Sequence, residues 1–522
     1  MSDVWCVARV ERKWIMVFPV FDDLRSWLAL MEDLGELRVI NGADWNLEIG
    51  AISRLNYKHP NPKALLFDNI IGYEPGFRVV TGTVSNARRT GVTLRLGDDL
   101  NNRDLVAALK GKPGEWAKSA PDFKPVEVAA APFFENVLSR DEADLSAFPA
   151  PIWNEGDGGR FIGTGCMVMT SDPDTGVVNG GAYRLQLQEG GRTLTVNIVP
   201  GKHGQVNVSK WFEREKKAPV TISLGHDPLL FMLAGTEVPT GISELNYAGA
   251  AIGSPLEVVR SDVTGLPIPK SSEIVVEGWL RPDLTFMEGP FAEWTGHYTG
   301  SDKPVLGLEL ERVMYRNDPI ILGSPPAKPP HDFSYMRTVM KSAMIQDAVE
   351  GAGVPGVHGV WAHEQGGGRM FIVVAIEQQY FGHSRQAGYI AAQCQAGAYM
   401  NRFVVVVDDD VDHTDLGDVI WAMCTRCDPA IDIEIMHKSW GGRADPVLAD
   451  KSIPYNSRAL IDACRPFERR DAYPPLAEAS PELLMRVARK WSDALGFDAT
   501  SFLSNARGQS AGGNVEEQMD GA

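Results

Sequence analysis

Residues 193–199 read Thr-Leu-Thr-Val-Asn-Ile-Val, and residues 273–278 read Glu-Ile-Val-Val-Glu-Gly. Both stretches are rich in β-branched side chains and are bounded by Gly, Pro or Asp, which is typical of short strands. Comparable runs, separated by glycines, continue from about residue 133 to residue 319. Many short strands divided in this way indicate a barrel or sandwich. We therefore predict a β-rich central domain over residues 125–325, with a helical excursion at residues 209–217.

The chain before this domain has a mixed pattern. Asp22 and Asp23 precede apolar residues at helical spacing, and acidic residues favour the start of a helix. Residues 64–67 and 77–80 then have the composition of strands, and residues 105–109 that of a helix. We predict a small α/β domain over residues 16–115. The segment 113–132, rich in Pro, Lys and Ala, is predicted to be a linker.

The chain after the central domain alternates helices and strands. Residues 335–350 lack Gly and Pro and predict a connecting helix. The apolar runs 371–376 and 403–407 predict buried strands, and residues 384–401 between them predict a helix. This order favours parallel pairing in a second α/β domain over residues 353–503, which ends with an amphipathic helix at residues 481–495. Residues 505–522 are predicted to be a disordered tail. The fold class is therefore α+β or α/β multidomain.

Composition excludes several classes of function. The 522 residues carry a formal net charge of -18, which repels nucleic acid and anionic membranes. No segment has the length of a membrane span, and the N-terminus lacks a clean signal-peptide core, so we expect a cytoplasmic protein. Six cysteines without a disulfide pattern agree with that expectation. Cys424 and Cys427 form a CxxC without a second pair, for which a structural interpretation is preferred over metal or redox use.

The segment with the strongest chemical signal runs from Glu288 to His297 and reads Glu-Gly-Pro-Phe-Ala-Glu-Trp-Thr-Gly-His. Two carboxylates lie five residues apart around a Gly-Pro turn. Such a turn can direct both side chains into one cavity, where burial and mutual repulsion raise one pKa and create a proton donor. Taken alone, however, two glutamates beside a turn are more often simply solvated.

Three further segments carry possible ligands. Asn179-Gly-Gly-Ala-Tyr-Arg184-Leu-Gln186 offers an amide oxygen for Mg2+ or Mn2+ and a guanidinium for a carboxylate or phosphate. His203 follows Pro-Gly-Lys, and Glu244 lies in Ile-Ser-Glu-Leu-Asn-Tyr. Each of these residues could equally be a satisfied polar group, in a glycine-rich turn or at the end of a strand.

Taken together, the order and spacing of these segments resemble the UbiD family of decarboxylases. The resemblance extends to the segments 329–332, 382–387, 406–412 and 421–429, so it covers roughly residues 22–497. It implies three domains: an N-terminal α/β domain, a central split barrel like that of flavin reductases, which binds prenylated FMN, and a C-terminal α/β domain with a dimerising terminal helix. A homodimer or larger homo-oligomer and a flavin prenyltransferase as cofactor supplier are also implied.

By the same resemblance, Arg184, Glu288 and Glu293 form a catalytic network. The reaction is reversible decarboxylation of an aromatic, heteroaromatic or α,β-unsaturated acid through a covalent prenylated-FMN adduct, with Glu293 as proton donor. Asn179, His203 and Glu244 would bind Mn2+ or Mg2+ near the flavin phosphate, with K+ nearby, and Gln186 would contact the cofactor. Lys202 competes with His203 for the metal position, but a protonated lysine cannot ligate. A lysine that contacts the phosphate in some fungal members has a neutral counterpart here, near Gln395.

The substrate pocket is predicted from His331, in a Pro-Pro-His segment, and from Trp440 and Gly441. The glycines at this position suggest room for a bulky ring. The sequence leaves open whether the acid is phenolic, heteroaromatic, polycyclic or cinnamic. One alternative function also remains, an FMN-dependent oxidoreductase, because a flavin-reductase-like barrel alone does not determine the reaction. A second is a non-catalytic assembly or flavin-carrier subunit.

Overall fold

The computed structural model describes residues 7–10, 13–16, 21–300 and 304–495. The predicted tail at residues 505–522 lies outside this range. Within it, none of the helices is both long enough and apolar enough to cross a bilayer.

The N-terminal part is an α/β unit. Helix α1 begins after Asp23, whose side chain accepts from the backbone N–H of Ser26, and it buries the apolar residues that predicted it. The elements in chain order are β1 Val7–Val10, β2 Lys13–Met16, α1 Leu24–Asp33, β3 Leu37–Asn41, α2 Glu48–Tyr57, β4 Ala64–Asp68, β5 Arg78–Thr81, α3 Ala87–Thr93, α4 Asn102–Leu109 and α5 Lys112–Ser119.

The prediction of a linker at residues 113–132 is wrong. Helix α5 occupies its first third, followed by a 3-10 turn at Ala120–Asp122 and the short strand β6, Val126–Glu127. Pro113 lies in the first turn of α5, where a missing N–H costs no helical hydrogen bond. Trp116 is buried and packs edge-on against Tyr247, so the segment is part of the core.

The central part is predominantly β. Its strands are β7 Asn136–Ser139, β8 Phe161–Gly163, β9 Met167–Ser171, β10 Val178–Gly181, β11 Leu185–Gln188, β12 Thr193–Val196, β13 Ala218–Leu224, β14 Glu257–Arg260, β15 Pro267–Pro269, β16 Ile274–Met287, β17 Phe291–Ala292, β18 Tyr298–Thr299, β19 Pro304–Tyr315 and β20 Ile320–Leu322. Its helices are α6 His203–Glu215, α7 Pro228–Ala234 and α8 Glu244–Ile252.

Nine of these strands form one antiparallel sheet. Its order is β10-β9-β13-β16-β19-β12-β11-β8, with β7 paired to β19. Strand β16 changes register twice against β19, and such irregularities bend and twist a sheet. Strands β6, β14 and β15 form a separate sheet, and β20 joins β5, β4 and β3 in the N-terminal sheet. The prediction of a curled, β-rich central sheet is confirmed.

Three helices interrupt this sheet, whereas the sequence predicted one. Helix α6 confirms the excursion expected at residues 209–217, although it begins earlier, at His203. Helices α7 and α8 were not predicted. Glu244 therefore lies in the first turn of a helix rather than at a strand end, and its backbone position favours an acidic side chain.

The C-terminal part begins with α9, Asp332–Gly351, which confirms the predicted connecting helix. Strands β22 and β23 pair in parallel, as predicted from the strand–helix–strand order. The remaining elements are β21 Val357–Ala362, β22 Phe371–Ile376, α10 His383–Gln393, α11 Gln395–Ala398, β23 Phe403–Asp408, α12 Leu416–Arg426, β24 Ile433–Trp440, β25 Tyr455–Ala463 and α13 Pro481–Leu495. Helix α9 packs against both β21 and α4, so it joins the two outer parts of the molecule.

Candidate active site

Arg184 lies at the centre of the site, between β10 and β11. Its Nη2 and Nε donate to Glu288 Oε2 at 2.7 and 3.0 Å, and its Nη1 donates to Glu293 Oε1 at 2.9 Å. The guanidinium also lies over the ring of Phe291, with 5.4 Å from Cζ to the ring centroid. The structure thus brings together the three residues predicted to be catalytic, on a single cation.

The chain directs both glutamates to this point because β16 ends just before Glu288 and the Gly289-Pro290 turn reverses the backbone. Gly289 has φ +80°, which favours glycine. Strand β17 follows and pairs with β18, and the backbone N–H of Glu293 donates to His297 O at 2.9 Å. Both carboxylates therefore stand on short, hydrogen-bonded segments of backbone.

The two glutamates have different surroundings. Burial raises the pKa of Glu293, while the charge of Arg184 and the hydroxyl of Thr299, which donates to Oε1 at 3.2 Å, act in the opposite direction. Glu288 has a fully buried side chain and accepts three hydrogen bonds on Oε2, from two nitrogens of Arg184 and from Asn197. Its Oε1 is buried and has no partner among the described residues. A buried Glu288 beside a partly exposed Glu293 suits one ionised and one proton-donating carboxyl group.

A second polar cluster contains Asn179 and Glu244. Asn179 Nδ2 donates to Glu244 Oε1 at 2.8 Å, and the backbone N–H of Gly180 donates to Oε2 at 2.7 Å. Burial raises the pKa of Glu244 to about 7. No cationic side chain of the described residues pairs with this carboxylate, so a bound cation would supply the missing positive charge. An amide and a carboxylate oxygen are suitable ligands for Mn2+ or Mg2+.

His203 is not brought into direct contact with this pair. It begins α6, and its Nε2 lies 3.2 Å from Thr240 Oγ1. The next residue, Gly204, does adjoin the pair, because a Cβ there would lie 3.1 Å from Asn179 Oδ1. Among the described residues, no three His, Cys, Asp or Glu side chains are grouped as for a metal. His203 therefore stays a predicted ligand that would need a different side-chain rotamer.

Lys202 has another partner. Its Nζ lies 3.2 Å from Glu237, which also accepts from Lys341 Nζ at 2.8 Å and from Arg369 Nη2 at 3.0 Å. Burial opposes ionisation of Glu237, but the three cations lower its pKa strongly. These three cations come from the start of α6, from α9 and from the loop before β22, and no local sequence pattern predicts that they form a cluster.

Gln186 supports the Gly289-Pro290 turn. Its Nε2 donates to Gly158 O at 3.1 Å, and its Oε1 accepts the backbone N–H of Gly289 at 2.9 Å. Both ends of the amide are therefore used by backbone groups. In the structure Gln186 holds the turn next to Glu288, and a contact of this side chain with a cofactor stays a prediction.

The three residues predicted to line the pocket lie in two parts of the chain. His331 caps α9, accepting from Ser334 N at 3.2 Å on Nδ1, while its Nε2 is buried without a partner among the described residues. Burial lowers the pKa of His331 to about 3, so the ring is neutral. Trp440 packs edge-on against Tyr399 at the end of β24, and Gly441 donates to Pro454 O at 2.9 Å. A side chain at Gly441 would collide with that carbonyl.

Two residues in contact with Arg184, Glu288 and Glu293 were not predicted from the sequence. Asn197 lies one residue beyond the end of β12, in the segment 193–199 that was predicted to be a strand. It is the polar exception among apolar and β-branched neighbours there, and that break in pattern was an available signal. Its backbone N–H donates to Arg184 O at 3.2 Å, which fixes it beside the guanidinium. Thr299 follows the quoted motif by two positions and carries no distinctive signal.

Three models of one family match the chain in order. The N-terminal, Rift-related and C-terminal domains of 3-octaprenyl-4-hydroxybenzoate carboxy-lyase match residues 28–109, 124–329 and 334–463. The pyrrole-2-carboxylic acid decarboxylase of Pseudomonas aeruginosa is 30% identical over 493 residues, covering 90% of this chain and 98% of that protein. The phenolic acid decarboxylase of Bacillus subtilis is 30% identical over 461 residues, covering 85% and 93%.

Solved structures agree with these matches. The UbiD-class enzyme HmfF from Pelotomaculum thermopropionicum, in complex with FMN, has a TM-score of 0.76 and 26% identity, covering 87% of this chain and 97% of that one. The open form of vanillic acid decarboxylase from Sedimentibacter hydroxybenzoicus, with a truncated second component, has a TM-score of 0.78 and 26% identity, covering 92% and 100%.

Proposed function

This chain belongs to the UbiD family of decarboxylases, and from that premise we propose that it removes CO2 from an aromatic, heteroaromatic or α,β-unsaturated carboxylic acid with prenylated FMN as cofactor. Membership of this family favours the decarboxylase over the FMN oxidoreductase that the barrel alone would allow. The observation that carries the proposal is the bridge formed by Arg184 between Glu288 and Glu293.

Arg184 binds the substrate carboxylate in this proposal. Its hydrogen bonds to described residues use Nε, both N–H groups of Nη1 and one of Nη2. One N–H of Nη2 is therefore left for a substrate oxygen, out of the five that a guanidinium offers. Glu288, held by Arg184 and Asn197, keeps the guanidinium oriented and compensates its charge in a largely buried site.

Glu293 is the proposed proton donor. Loss of CO2 leaves an electron pair on carbon, and prenylated FMN, when bound, supplies covalent attachment of the substrate and a sink for those electrons. The carbon then needs a proton. Glu293 suits that role because burial favours its protonated form and because Arg184 and Thr299 hold its Oε1 in a fixed position.

Asn179 and Glu244 are the residues we propose for the divalent cation, Mn2+ or Mg2+, with His203 as a third ligand after a rotamer change. The buried Glu244 carboxylate supports this assignment. Among the described residues, it accepts hydrogen bonds only from one side-chain amide and one backbone N–H. A cation there would attract the flavin phosphate. K+ is proposed nearby on the resemblance alone.

The substrate ring is proposed to lie between His331 and the wall formed by Trp440 and Gly441. A neutral His331 can accept or donate a hydrogen bond through Nε2, which suits a phenol or a ring N–H. A homodimer is also proposed, since α13 exposes Leu483, Leu484, Val487 and Trp491 on an otherwise charged helix.

The test is to co-express the full chain with a flavin prenyltransferase and to record its absorbance spectrum. Phenolic, heteroaromatic, polycyclic and cinnamic acids are then screened for CO2 release, with Glu293→Gln protein prepared in parallel. We expect a flavin spectrum and CO2 from at least one class, lost in the variant. Oxidation of NADH by the loaded protein, without CO2 from any acid, would contradict the proposal.

A further inference from the structure

Arg337 is a buried arginine beside the catalytic loop that the proposed mechanism does not use. It lies on α9, and its Cζ is 4.7 Å from the ring centroid of Trp294 and 4.2 Å from that of Phe333. Trp294 directly follows Glu293 in the chain. Nη1 of Arg337 donates to the backbone O of Gly367 at 3.0 Å. The guanidinium is therefore fixed between two aromatic rings, next to the proposed proton donor.

Arg369 lies near Arg337. It belongs to the turn at residues 366–370, and Arg337 Nη1 donates to Gly367 O in that turn. Its Nη2 donates to Glu237 Oε1 at 3.0 Å, and its Cζ is 5.0 Å from the ring centroid of Tyr399. Tyr399 in turn contacts Trp440 on the proposed substrate wall. Arg369 thus lies between the Glu237 cluster and the substrate pocket.

Positive charge exceeds negative charge in this region. Lys202, Lys341 and Arg369 share the single carboxylate of Glu237. Among the described residues, no carboxylate lies within ion-pair distance of Arg337. The charge of Glu293 also acts on Arg337, but that carboxylate already pairs with Arg184. Three of the four cations are almost fully buried, so an additional anion would compensate their charge, because burial of an unpaired charge is costly.

Two buried N–H groups show where that anion would bind. Arg337 is 6% exposed and Arg369 is 7% exposed, yet Arg337 Nε and Arg369 Nη1 have no hydrogen-bond partner among the described residues. Burial, followed by the charge of Arg369, lowers the pKa of Arg337 well below its ordinary value. Guanidinium groups keep their proton in proteins. A negatively charged ligand, rather than deprotonation, would therefore compensate the buried charge of Arg337.

We propose that Arg337 and Arg369 form an oxyanion subsite that holds an anionic group of a bound small molecule. The inference rests on the proposed function, in that this molecule is either the substrate or the flavin. A planar guanidinium recognises carboxylate, phenolate and phosphate oxygens alike, so two sources fit. One is a second acidic group on the substrate ring, which the position of Arg337 beside Trp294 favours. The other is the flavin phosphate, on the side of Arg369 and Lys202.

The experiment compares matched ligand pairs that differ by one anionic group. Arg337→Met and Arg369→Met proteins are titrated with FMN and with riboflavin. The FMN-loaded proteins are then titrated with benzoate and with isophthalate, which adds a second carboxylate, by calorimetry. Arg95→Met is the control, because Arg95 also lies over an aromatic ring, that of Phe21, and pairs with Asp227 outside the site.

We expect the Arg337→Met and Arg369→Met substitutions to lower the affinity for one anionic ligand by about 10- to 100-fold. The affinity for its matched partner should change by less than about twofold. A selective loss for isophthalate identifies the substrate as the source, and a selective loss for FMN identifies the phosphate. If Arg337→Met does not fold, Arg337→Lys is used, because it keeps the charge and loses the planar fork. It should show a smaller loss of affinity for the more anionic member of the same ligand pair.

Equal affinity of the folded variants and the wild type for all four ligands would overturn the subsite. So would a parallel loss for both members of each pair, which would indicate a structural role. Neither result depends on catalysis. Release of CO2 by the wild-type protein tests the proposed function separately, and it could succeed while the subsite fails.

Discussion

Asn197 donates its side-chain amide to Glu288 Oε2 at 2.5 Å, to the oxygen that also accepts from Arg184. The backbone of Asn197 is tied to Arg184 as well, through its N–H and the Arg184 carbonyl. One residue just beyond the end of a core strand therefore fixes both members of the most buried ion pair in the proposed catalytic network. Its effect on catalysis would be indirect, through the orientation of that pair.

Substitution Asn197→Ala should lower kcat by about 10- to 100-fold, because a hydrogen bond to a charged, buried carboxylate contributes about 1.5–3 kcal/mol. Steady-state CO2 release measures the effect. Asn136→Ala is a matched control, since that amide binds Tyr315 O far from the site. Activity within twofold of the wild type would show that Arg184 alone holds Glu288.

Substitution Glu293→Gln should lower kcat by about 10²- to 10⁴-fold, since it removes the proposed proton donor and keeps the shape of the side chain. Substrate affinity, measured by equilibrium titration, should change far less, because Arg184 keeps its bonds to Glu288. Glu311→Gln, on strand β19, controls for the loss of one carboxylate. Equal losses of binding and turnover would argue for a role in binding instead.

Substitution Thr299→Val should move the alkaline limb of the kcat profile to higher pH. Burial raises the pKa of Glu293, and the Thr299 hydroxyl opposes that rise by stabilising the ionised form. Without the hydroxyl, Glu293 stays protonated to a higher pH, so the limb should shift upward by about 0.5–1 pH unit. Rates across pH 5–10 measure it, and a shift to lower pH would contradict the assigned donor.

Sequence patterns were informative where local rules and tertiary packing agree. The connecting helix α9 followed from the absence of Gly and Pro, and the parallel pair β22–β23 followed from the strand–helix–strand order. The helix α13 followed from its amphipathic pattern. The linker at residues 113–132 failed because Pro113 reads as a helix breaker, although it lies in the first turn of α5, where proline is tolerated. Helices α7 and α8 were not predicted, because they lie in a glycine-rich region that was predicted to contain strands.

The site divides in the same way. Motif spacing identified Arg184, Glu288 and Glu293. In the fold, both glutamates accept hydrogen bonds from the guanidinium of Arg184. It did not identify Arg337 or Arg369. Their contacts with Trp294 and Glu237 join residues far apart in the chain, and nothing in either local sequence distinguishes a buried arginine from a surface one. His203 shows the converse: its sequence motif matched, yet its side chain lies on Thr240.

Binding of Mn2+ to the protein should tighten as the pH rises. Burial raises the pKa of Glu244 to about 7, so protons compete with the metal for this carboxylate below that pH. For this group alone, affinity should increase about tenfold between pH 6 and pH 8. Glu244→Gln should weaken binding at least tenfold and reduce the pH dependence, as measured by titration followed with electron paramagnetic resonance.

The control for that experiment is Glu257→Gln, whose carboxylate pairs with Lys270 on the surface. It should leave both the affinity and its pH dependence unchanged. Wild-type affinity that is the same at pH 6 and pH 8 would indicate that the cation binds elsewhere. Loss of binding in both variants would point to a general effect of charge.

Gly158 packs so closely against the Gly289-Pro290 turn that only glycine fits. A Cβ at this position would lie 1.9 Å from Gly289 O, and the Gly158 N–H donates to Pro290 O at 2.7 Å. Gly158→Ala should therefore displace the turn that carries Glu288. Backbone shifts of this kind cost about 1–3 kcal/mol of unfolding free energy, and a displacement of about 1 Å lowers turnover by about 100-fold.

Gly114→Ala provides the matched control, because a Cβ there meets nothing within 4 Å and the residue lies exposed inside α5. It should raise the unfolding free energy by about 1 kcal/mol through helix propensity and leave turnover unchanged. Denaturant unfolding and CO2 release are measured for both variants. If Gly158→Ala kept full turnover, the turn could move without loss of function, and the fixed position of Glu288 would not be needed for catalysis.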